Sequence, residues 1–234
     1  IQELVDKGVT EILLIPLYPQ HAMASTETIL VLADKIRNEF YPQIEFTNLP
    51  AFYNHKDYIR VLSNSIQNHL KDKKWDHILF SYHGIPERHI RKSDITKSHC
   101  KIDQSCCKTS SPAHKYCYRH QCYETTRQVA EYLELKDGSY SSSFQSRLAG
   151  QPWLKPYTDK VVENFAETGM KNMAIVTPAF VSDCLETLEE IAMEAKEDFI
   201  EKGGNEFHVV PCLNDDKDWV KTLSRWIDEW ANIN

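Results

Sequence analysis

The sequence predicts an α/β fold in which parallel β-strands are covered by helices on both faces. Short runs rich in aliphatic and β-branched residues alternate along the chain with longer segments of helical periodicity. This alternation is typical of parallel βαβ units, because each helix returns the chain to the edge where the next parallel strand begins. In folds of this kind, ligands bind at the carboxyl ends of the strands.

Six strands and six helices are predicted in alternation. The strands are expected at 10–17, 43–49, 76–82, 139–145, 172–177 and 206–211. The helices are expected at 25–40, 55–72, 123–135, 157–169, 184–202 and 215–231. The opening residues IQELVDKG are typical of the last turns of a helix closed by Gly8. Because no initiator methionine precedes them, we expect a chain whose front is missing.

The composition indicates a globular protein and excludes several classes of partner. The chain has 234 residues, of which 41% are hydrophobic, enough to bury a substantial core. Its 27 basic and 34 acidic residues give a net charge of −7, which offers no broad cationic surface to nucleic acid. No apolar run is long enough to span a bilayer. We expect a cytoplasmic protein without a transmembrane segment. The sequence leaves peripheral membrane contact and the oligomeric state open.

Several predicted strand ends carry side chains suited to a binding cleft. His83 leaves the strand in LFSYHGIPER, and Trp153 lies in the loop after the fourth strand. Glu186 lies just inside the helix that follows the fifth strand. Because parallel strands end at one edge of a sheet, these loops are expected to open on the same side. From its position alone, His83 fits a local structural role equally well.

The helix predicted at 184–202 carries an acidic stripe. Glu186, Glu190 and Glu194 recur at intervals of about one turn, and carboxylates at that spacing repel each other. An ordinary acidic surface accounts for Glu194, whereas the position of Glu186 at a strand end favours a functional role. The apolar stripe of the same helix is expected to contain Leu185, Leu188, Ala192, Ala195 and Phe199.

Three motifs, SYHGIPER, FQSRLAGQPWLKPYTD and PAFVSDCLETLEEI, occur in this order and closely resemble ferrochelatase, the family that inserts ferrous iron into protoporphyrin. The resemblance runs from LLIPLYPQHAMASTET to CLNDDKDWVKTL and so covers almost the whole chain. It implies two Rossmann-like halves that clamp the porphyrin, the first of them incomplete. The implied layout is 1–53 for the end of the first half, 54–212 for the second half, and 213–234 for a helix packed across both.

The resemblance also implies the residues of the site. His83 and Glu186 would be catalytic and face each other over the centre of the porphyrin. Together with Glu190 and Glu194, they would also line the path of the iron substrate. The residues expected to contact the porphyrin are Tyr82, Trp153 and Tyr18.

The chemistry of metal insertion accounts for an imidazole and a carboxylate in such a site. Two inner N–H protons must leave a porphyrin before a metal enters, and an imidazole with a pKa near 6.5 can accept a proton at neutral pH. Oxygen and nitrogen ligands also bind Fe²⁺ loosely enough to release it. His83 could therefore act as base or as iron ligand; our hypothesis is proton abstraction by His83, assisted by Glu186.

Five of the seven cysteines lie within 84–122, a segment too long for an ordinary connection. An odd total argues against a disulfide framework, and the spacing C-x5-C-C-x9-C-x4-C lacks the C-x2-C pair usual for zinc. Four thiolates suit a [2Fe–2S] cluster, and the segment resembles the cluster-bearing insertion of some bacterial ferrochelatases. The expected ligands are Cys100, Cys107, Cys117 and Cys122, with Cys106 as an alternative to Cys107.

Other functions remain open at this point. A coproporphyrin ferrochelatase would share these motifs, whereas a cobalt or nickel chelatase would be expected to carry a second histidine in place of Glu186. A non-catalytic tetrapyrrole or Fe–S binding protein is the alternative of another class, and the presence of both His83 and Glu186 argues against it. The chain alone is expected to be inactive or weakly active, because in this family the missing front supplies one wall of the pocket.

Overall fold

The structure, a computed structural model, describes residues 1–233. Asn234, the last residue of the predicted unit 213–234, lies outside the described residues. All six predicted strands are confirmed, five with shorter bounds and β3 shifted by one residue: β1 Glu11–Leu14, β2 Glu45–Asn48, β3 His77–His83, β4 Tyr140–Gln145, β5 Asn172–Val176 and β6 Glu206–Val209.

The strands form two separate parallel sheets. β1 pairs with β2 in a two-stranded sheet, and the other four strands are ordered β4-β3-β5-β6. β3 lies inside the larger sheet, and six of its seven residues are buried. This burial on both faces explains why the strand is nearly continuously apolar instead of alternating.

The predicted helices are also present, together with short helices that were not predicted. The α-helices are α1 Gln2–Val5, α2 Thr28–Phe40, α3 Lys56–Leu70, α4 Glu87–Ser93, α5 Tyr118–Tyr132, α6 Thr158–Glu167, α7 Leu185–Leu188, α8 Lys196–Glu201 and α9 Lys217–Ile233. Single π-helical turns occupy Met23–Glu27 and Glu190–Ala195, and 3₁₀ turns occupy Ser105–Lys108 and Pro112–Lys115. The predicted glycine stop of the first helix is confirmed, since Gly8 has φ +79°.

Helices cover both faces of the larger sheet, as the α/β prediction requires. Alternate residues of β3 face opposite sides, so Phe80 packs toward α3, α5 and α9. Leu79 packs on the other face, with residues such as Val162 of α6 and Phe199 of α8. Two apolar layers therefore enclose the sheet. Among the described residues, no helix is both long and apolar enough to cross a membrane.

The continuous helix predicted at 184–202 is wrong in one respect. It is divided by the π-helical turn Glu190–Ala195, which has more residues per turn than an α-helix and shifts the phase of the side chains. Leu185 is consequently 73% exposed and Leu188 53% exposed, although both were expected in the apolar stripe. Ala195 and Phe199, after the turn, are buried as predicted.

The C-terminal helix α9 uses its tryptophans for core packing. Trp219 and Trp226 are buried, and their rings lie 5.8 and 5.4 Å from that of Phe52. Arg225 of α9 forms an ion pair with Asp57 of α3 at 2.6 Å. The helix thus joins the segment after β2 to the larger sheet, while the division of the chain at residues 53 and 212 stays a prediction.

Candidate active site

A cleft of about 420 Å³ opens where the loops at the carboxyl ends of the strands meet. Tyr18 enters it from the loop after β1, and His83 from the end of β3. Trp153 lies in the loop after β4, and Phe180 in the loop after β5. The strand-end loops of both sheets therefore converge on one cavity, as parallel pairing predicts.

The loop after β1 is fixed to the larger sheet by buried hydrogen bonds. The Gln20 side chain, 2% exposed, donates to Thr125 Oγ1 at 3.1 Å and to the Pro178 carbonyl at 3.5 Å. The main-chain N–H of His21 donates to Gln121 Oε1 at 2.6 Å. These contacts hold the Tyr18 side of the cleft against α5 and the end of β5.

His83 occupies the last position of β3 and lies at the cleft with a defined tautomer. Its Nδ1 is 2.6 Å from the carbonyl oxygen of Gly84. Since a carbonyl can only accept, Nδ1 carries a proton, and in the neutral form of the ring the lone pair lies on Nε2. The hydroxyl of Tyr118 donates to the His83 carbonyl at 2.8 Å, and the ring of Phe180 lies edge-on at 6.2 Å. The Gly84 carbonyl and the Phe180 ring therefore orient the imidazole, and Tyr118 holds the main chain of His83.

Gly84 allows β3 and β4 to stay close together directly behind His83. Its N–H donates to the Gln145 carbonyl at 2.7 Å. A Cβ built on Gly84 would lie 2.7 Å from the same oxygen and 3.4 Å from the Trp153 ring, so only glycine fits without movement. The glycine in SYHG thus keeps the imidazole, the neighbouring strand and the cleft wall in close contact.

Glu186 lies near His83, on α7. The pKa of its carboxyl is held below the usual range by a hydrogen bond from its own N–H and one from the Cys184 thiol; partial burial opposes this, and His83 adds a smaller lowering effect. Gln145 joins the two residues: it pairs with His83 in the strand register, and its Nε2 donates to the Glu186 carbonyl at 2.8 Å. The structure therefore brings the imidazole of His83 near an ionised carboxylate.

Glu190 and Glu194 line a neighbouring cavity and not the wall of the main cleft. This second cavity, about 340 Å³, is also lined by Gln145 and by the acidic residues Asp159 and Asp198. Glu190 Oε2 accepts a hydrogen bond from Ser146 Oγ at 2.5 Å. A line of carboxylates therefore leads away from the region of Glu186 along the π-helical turn.

The expectation that Tyr82 contacts a ligand in the cleft needs correction. Its side chain is fully buried, and its hydroxyl lies 2.8 Å from Thr126 Oγ1. Because neighbouring residues of a strand point to opposite faces, Tyr82 faces α5 where His83 faces the cleft. Three residues of the site were missed by sequence reasoning: Tyr118, Gln145 and Phe180. Of these, Gln145 could have been found as the Q of FQSR, where the predicted fourth strand ends.

The cysteine-rich segment encloses a buried arginine. Arg119 is 1% exposed, and its Nη2 donates to Cys106 Sγ at 3.4 Å. Its Nε has no hydrogen-bond partner among residues 1–233. Cys107 is also hydrogen-bonded to Arg119, and the Cys100 and Cys117 thiols are in contact. Cys122 is fully buried on α5, five residues beyond Cys117, which immediately precedes the helix.

Burial favours the protonated form of four thiols of this segment. Burial raises the pKa of Cys107 to about 11 although Arg119 opposes the shift, and burial raises the pKa values of Cys100, Cys117 and Cys122 too. Within the described part of the chain, no group of three or more His, Cys, Asp or Glu side chains is arranged to hold a metal ion.

Comparison with known proteins assigns the chain to a family. A family model described as Ferrochelatase matches residues 1–231. The chain belongs to the ferrochelatase family. A ferrochelatase of Opitutus terrae is 44% identical over 232 residues, which cover 99% of this chain and 67% of that protein. A ferrochelatase of Pseudomonas fluorescens strain Pf0-1 is 44% identical over 95% of the chain and 65% of its own length.

The ferrochelatase-family chain thus spans about two thirds of the length of these relatives. The solved structure of SirB from Bacillus subtilis with Fe³⁺ is also similar, with a TM-score of 0.58 over 93% of this chain and 70% of that one. Its sequence identity is 10%, so this likeness concerns the fold alone. It confirms the predicted chelatase-type α/β architecture.

Proposed function

We propose that this ferrochelatase-family chain carries the site that inserts Fe²⁺ into protoporphyrin IX to form protohaem. The observation that carries the proposal is the position of His83 in the strand-end cleft, with Glu186 close enough for His83 to lower the pKa of its carboxyl. A cytoplasmic location is part of the same proposal and rests on the sequence alone.

His83 is proposed as the base that removes the inner protons of the porphyrin. Its Nε2 lone pair accepts a pyrrole proton, while the Nδ1–H bond to the Gly84 carbonyl keeps the ring oriented. The negative charge of Glu186 stabilises the imidazolium that results. Two protons leave for each Fe²⁺ that enters, so the charge inside the macrocycle is balanced.

The carboxylates are proposed to guide the ferrous substrate and to carry protons away. Glu186 is next to His83, and Glu190 and Glu194 lie in the adjoining acidic cavity. Oxygen ligands bind Fe²⁺ with moderate affinity, which permits transfer to four ring nitrogens. The acidic line therefore suits a path and not a permanent metal site.

The walls of the main cleft suit a flat aromatic ligand. Tyr18, Trp153 and Phe180 come from three different loops and present ring surfaces to it. Aromatic faces pack on an apolar disc and exclude water from the reacting centre. The volume of about 420 Å³ is within the range of roughly 300–1,000 Å³ usual for small-molecule sites.

We also propose that the cysteine-rich segment holds a [2Fe–2S] cluster through Cys100, Cys107, Cys117 and Cys122, with Cys106 as the substitute for Cys107. The donor chemistry fits, because thiols gather around the buried cation of Arg119, whose Nε lacks a partner within the described chain. Arg119 would offset the negative charge of the thiolate ligands. Anaerobically purified protein should show the visible absorption of such a cluster; a colourless protein containing zinc would contradict this assignment.

The catalytic proposal is tested by replacing His83 with alanine. His69→Ala, a change on α3 outside the cleft, serves as the control. Porphyrin binding is measured by fluorescence on this chain. Iron insertion is measured on a protein as long as the relatives that carries the same substitutions. We expect His83→Ala to lower the insertion rate by roughly 10²–10⁴-fold with little change in porphyrin affinity. Insertion at the parent rate would refute the role of His83.

A further inference from the structure

Two imidazole nitrogens and one main-chain oxygen converge within the cysteine-rich segment, away from the cleft. His99 Nε2 lies 3.2 Å from His114 Nε2. The carbonyl oxygen of Cys106 lies 3.1 Å from the first nitrogen and 3.3 Å from the second. These three atoms form a nearly equilateral triangle.

No placement of protons satisfies all three contacts between neutral groups. The carbonyl can only accept, and each Nε2 either donates or accepts. If both nitrogens are protonated, two N–H groups oppose each other at 3.2 Å; if one is not, its lone pair faces the lone pairs of the carbonyl. A cation above the centre of the triangle, bonded to all three atoms, would use each of them as a lone-pair donor.

The dimensions of the triangle agree with those of a metal coordination shell. Zn–N bonds of about 2.0–2.1 Å place neighbouring ligands of a tetrahedral site about 3.3–3.4 Å apart. Octahedral ligands with bonds of about 2.1 Å lie about 3.0 Å apart. The observed separations of 3.1 to 3.3 Å fall between these two values.

The two histidines are held in place by contacts of their own. The Asp94 carboxylate accepts the main-chain N–H groups of His99 and Cys100, each at 2.8 Å. His114 belongs to the 3₁₀ turn Pro112–Lys115, and its ring stacks on that of His120 with centroids 3.5 Å apart. His114 also borders an open cavity of about 630 Å³, from which water could complete the coordination.

We propose that His99, His114 and the carbonyl oxygen of Cys106 bind a divalent first-row transition-metal ion such as Zn²⁺. Imidazole nitrogen suits these ions, and open positions at a three-donor site are filled by water. The site uses two side chains only, so it does not conflict with the absence of three-residue groups in residues 1–233. The proposal depends neither on the catalytic role of His83 nor on the cysteine-bound cluster.

The test follows the imidazole nitrogens by NMR while Zn²⁺ alone is added to the full chain until binding is saturated. Chemical shifts of imidazole ¹⁵N report on the histidines even if thiols also bind zinc. We expect the Nε2 signals of His99 and His114 to shift together. His114→Phe keeps the ring stack but removes the donor, and should abolish the response of His99.

Two further variants make the result decisive. His99→Gln should abolish the shift of the His114 Nε2 signal. This variant tests the site even if His114→Phe does not fold. His120→Phe changes the other stacked ring and should leave the paired response intact. The proposal is overturned if zinc saturates without shifting both imidazoles, if one responds in the absence of the other, or if His120→Phe abolishes the response.

Discussion

Replacing Gly84 with alanine tests whether close contact between β3 and β4 positions the catalytic imidazole. The new Cβ would lie 2.7 Å from the Gln145 carbonyl oxygen, whereas ordinary contacts begin near 3.4 Å. The oxygen belongs to the main chain of a buried strand, so no flexible side chain can move aside. The ends of the two strands must therefore separate by a few tenths of an ångström.

The size of the effect follows from this geometry. Overpacking of a rigid site costs about 1–3 kcal/mol, and weakening the 2.7 Å hydrogen bond from Gly84 to Gln145 costs about 1 kcal/mol more. We expect the free energy of unfolding to fall by about 2–4 kcal/mol. Because His83 precedes Gly84 and Gln145 holds Glu186, we also expect iron insertion to fall by roughly tenfold or more.

Urea unfolding and an iron-insertion assay measure the two effects, with Gly138→Ala as the matched control. Gly138 has φ +85° and no atom within 4 Å of a built Cβ. Alanine there costs about 1–2 kcal/mol of backbone strain and should leave the cleft unchanged. If Gly84→Ala is as stable as the parent, or resembles Gly138→Ala in keeping full insertion activity, the account of this glycine is refuted.

Three other changes are predicted to have separable effects. Gln145→Leu removes the side-chain hydrogen bond to the Glu186 carbonyl and should lower the rate of iron insertion by roughly 10-fold to 100-fold. The porphyrin affinity, measured by fluorescence, should stay unchanged. An equal loss of porphyrin affinity would contradict this prediction. Burial opposes ionisation of Asp94, but hydrogen bonds led by that from the Cys100 N–H outweigh it and lower its pKa from 3.8 to about 2. The stabilising contribution of the Asp94 carboxylate is therefore complete above pH 4 and is lost as the pH falls through about 2. Asp94→Asn should therefore reduce the change in the free energy of unfolding in urea between pH 4 and pH 2. An unchanged pH dependence would refute this role of Asp94. Arg119→Leu removes the hydrogen bonds from the buried guanidinium to the Lys101 and Ile102 carbonyls and should lower the free energy of unfolding in urea by about 1–3 kcal/mol in all, whereas parent stability would show that the buried cation is dispensable.

The alternation of apolar runs and helical segments was sufficient to predict where all six strands lie along the chain and that they pair in parallel. This pattern extends over the whole chain, so an error of a few residues in the bounds of one strand or helix does not change the predicted fold. His83 could be predicted as a cleft residue because its motif places it at the end of a buried strand. The proximity of Glu186 to His83 could be predicted because its helix begins at another strand end.

The parts that could not be predicted depend on local phase and on distant contacts. One π-helical turn at Glu190–Ala195 rotates the helix face and exposes Leu185, an effect that periodicity alone does not reveal. Tyr82 and His83 are neighbours in a strand, so only one of them can face the cleft, and the motif does not say which. Tyr118 reaches the His83 carbonyl across 35 positions of sequence.

A crystal structure of the chain with bound porphyrin is the most direct test of the central claim. We predict that the ring lies in the cleft between Tyr18 and Trp153, with the Nε2 atom of His83 and the Glu186 carboxylate both within reach of its four nitrogens. A porphyrin bound elsewhere, or one whose centre is reached by neither side chain, would contradict the proposed reaction.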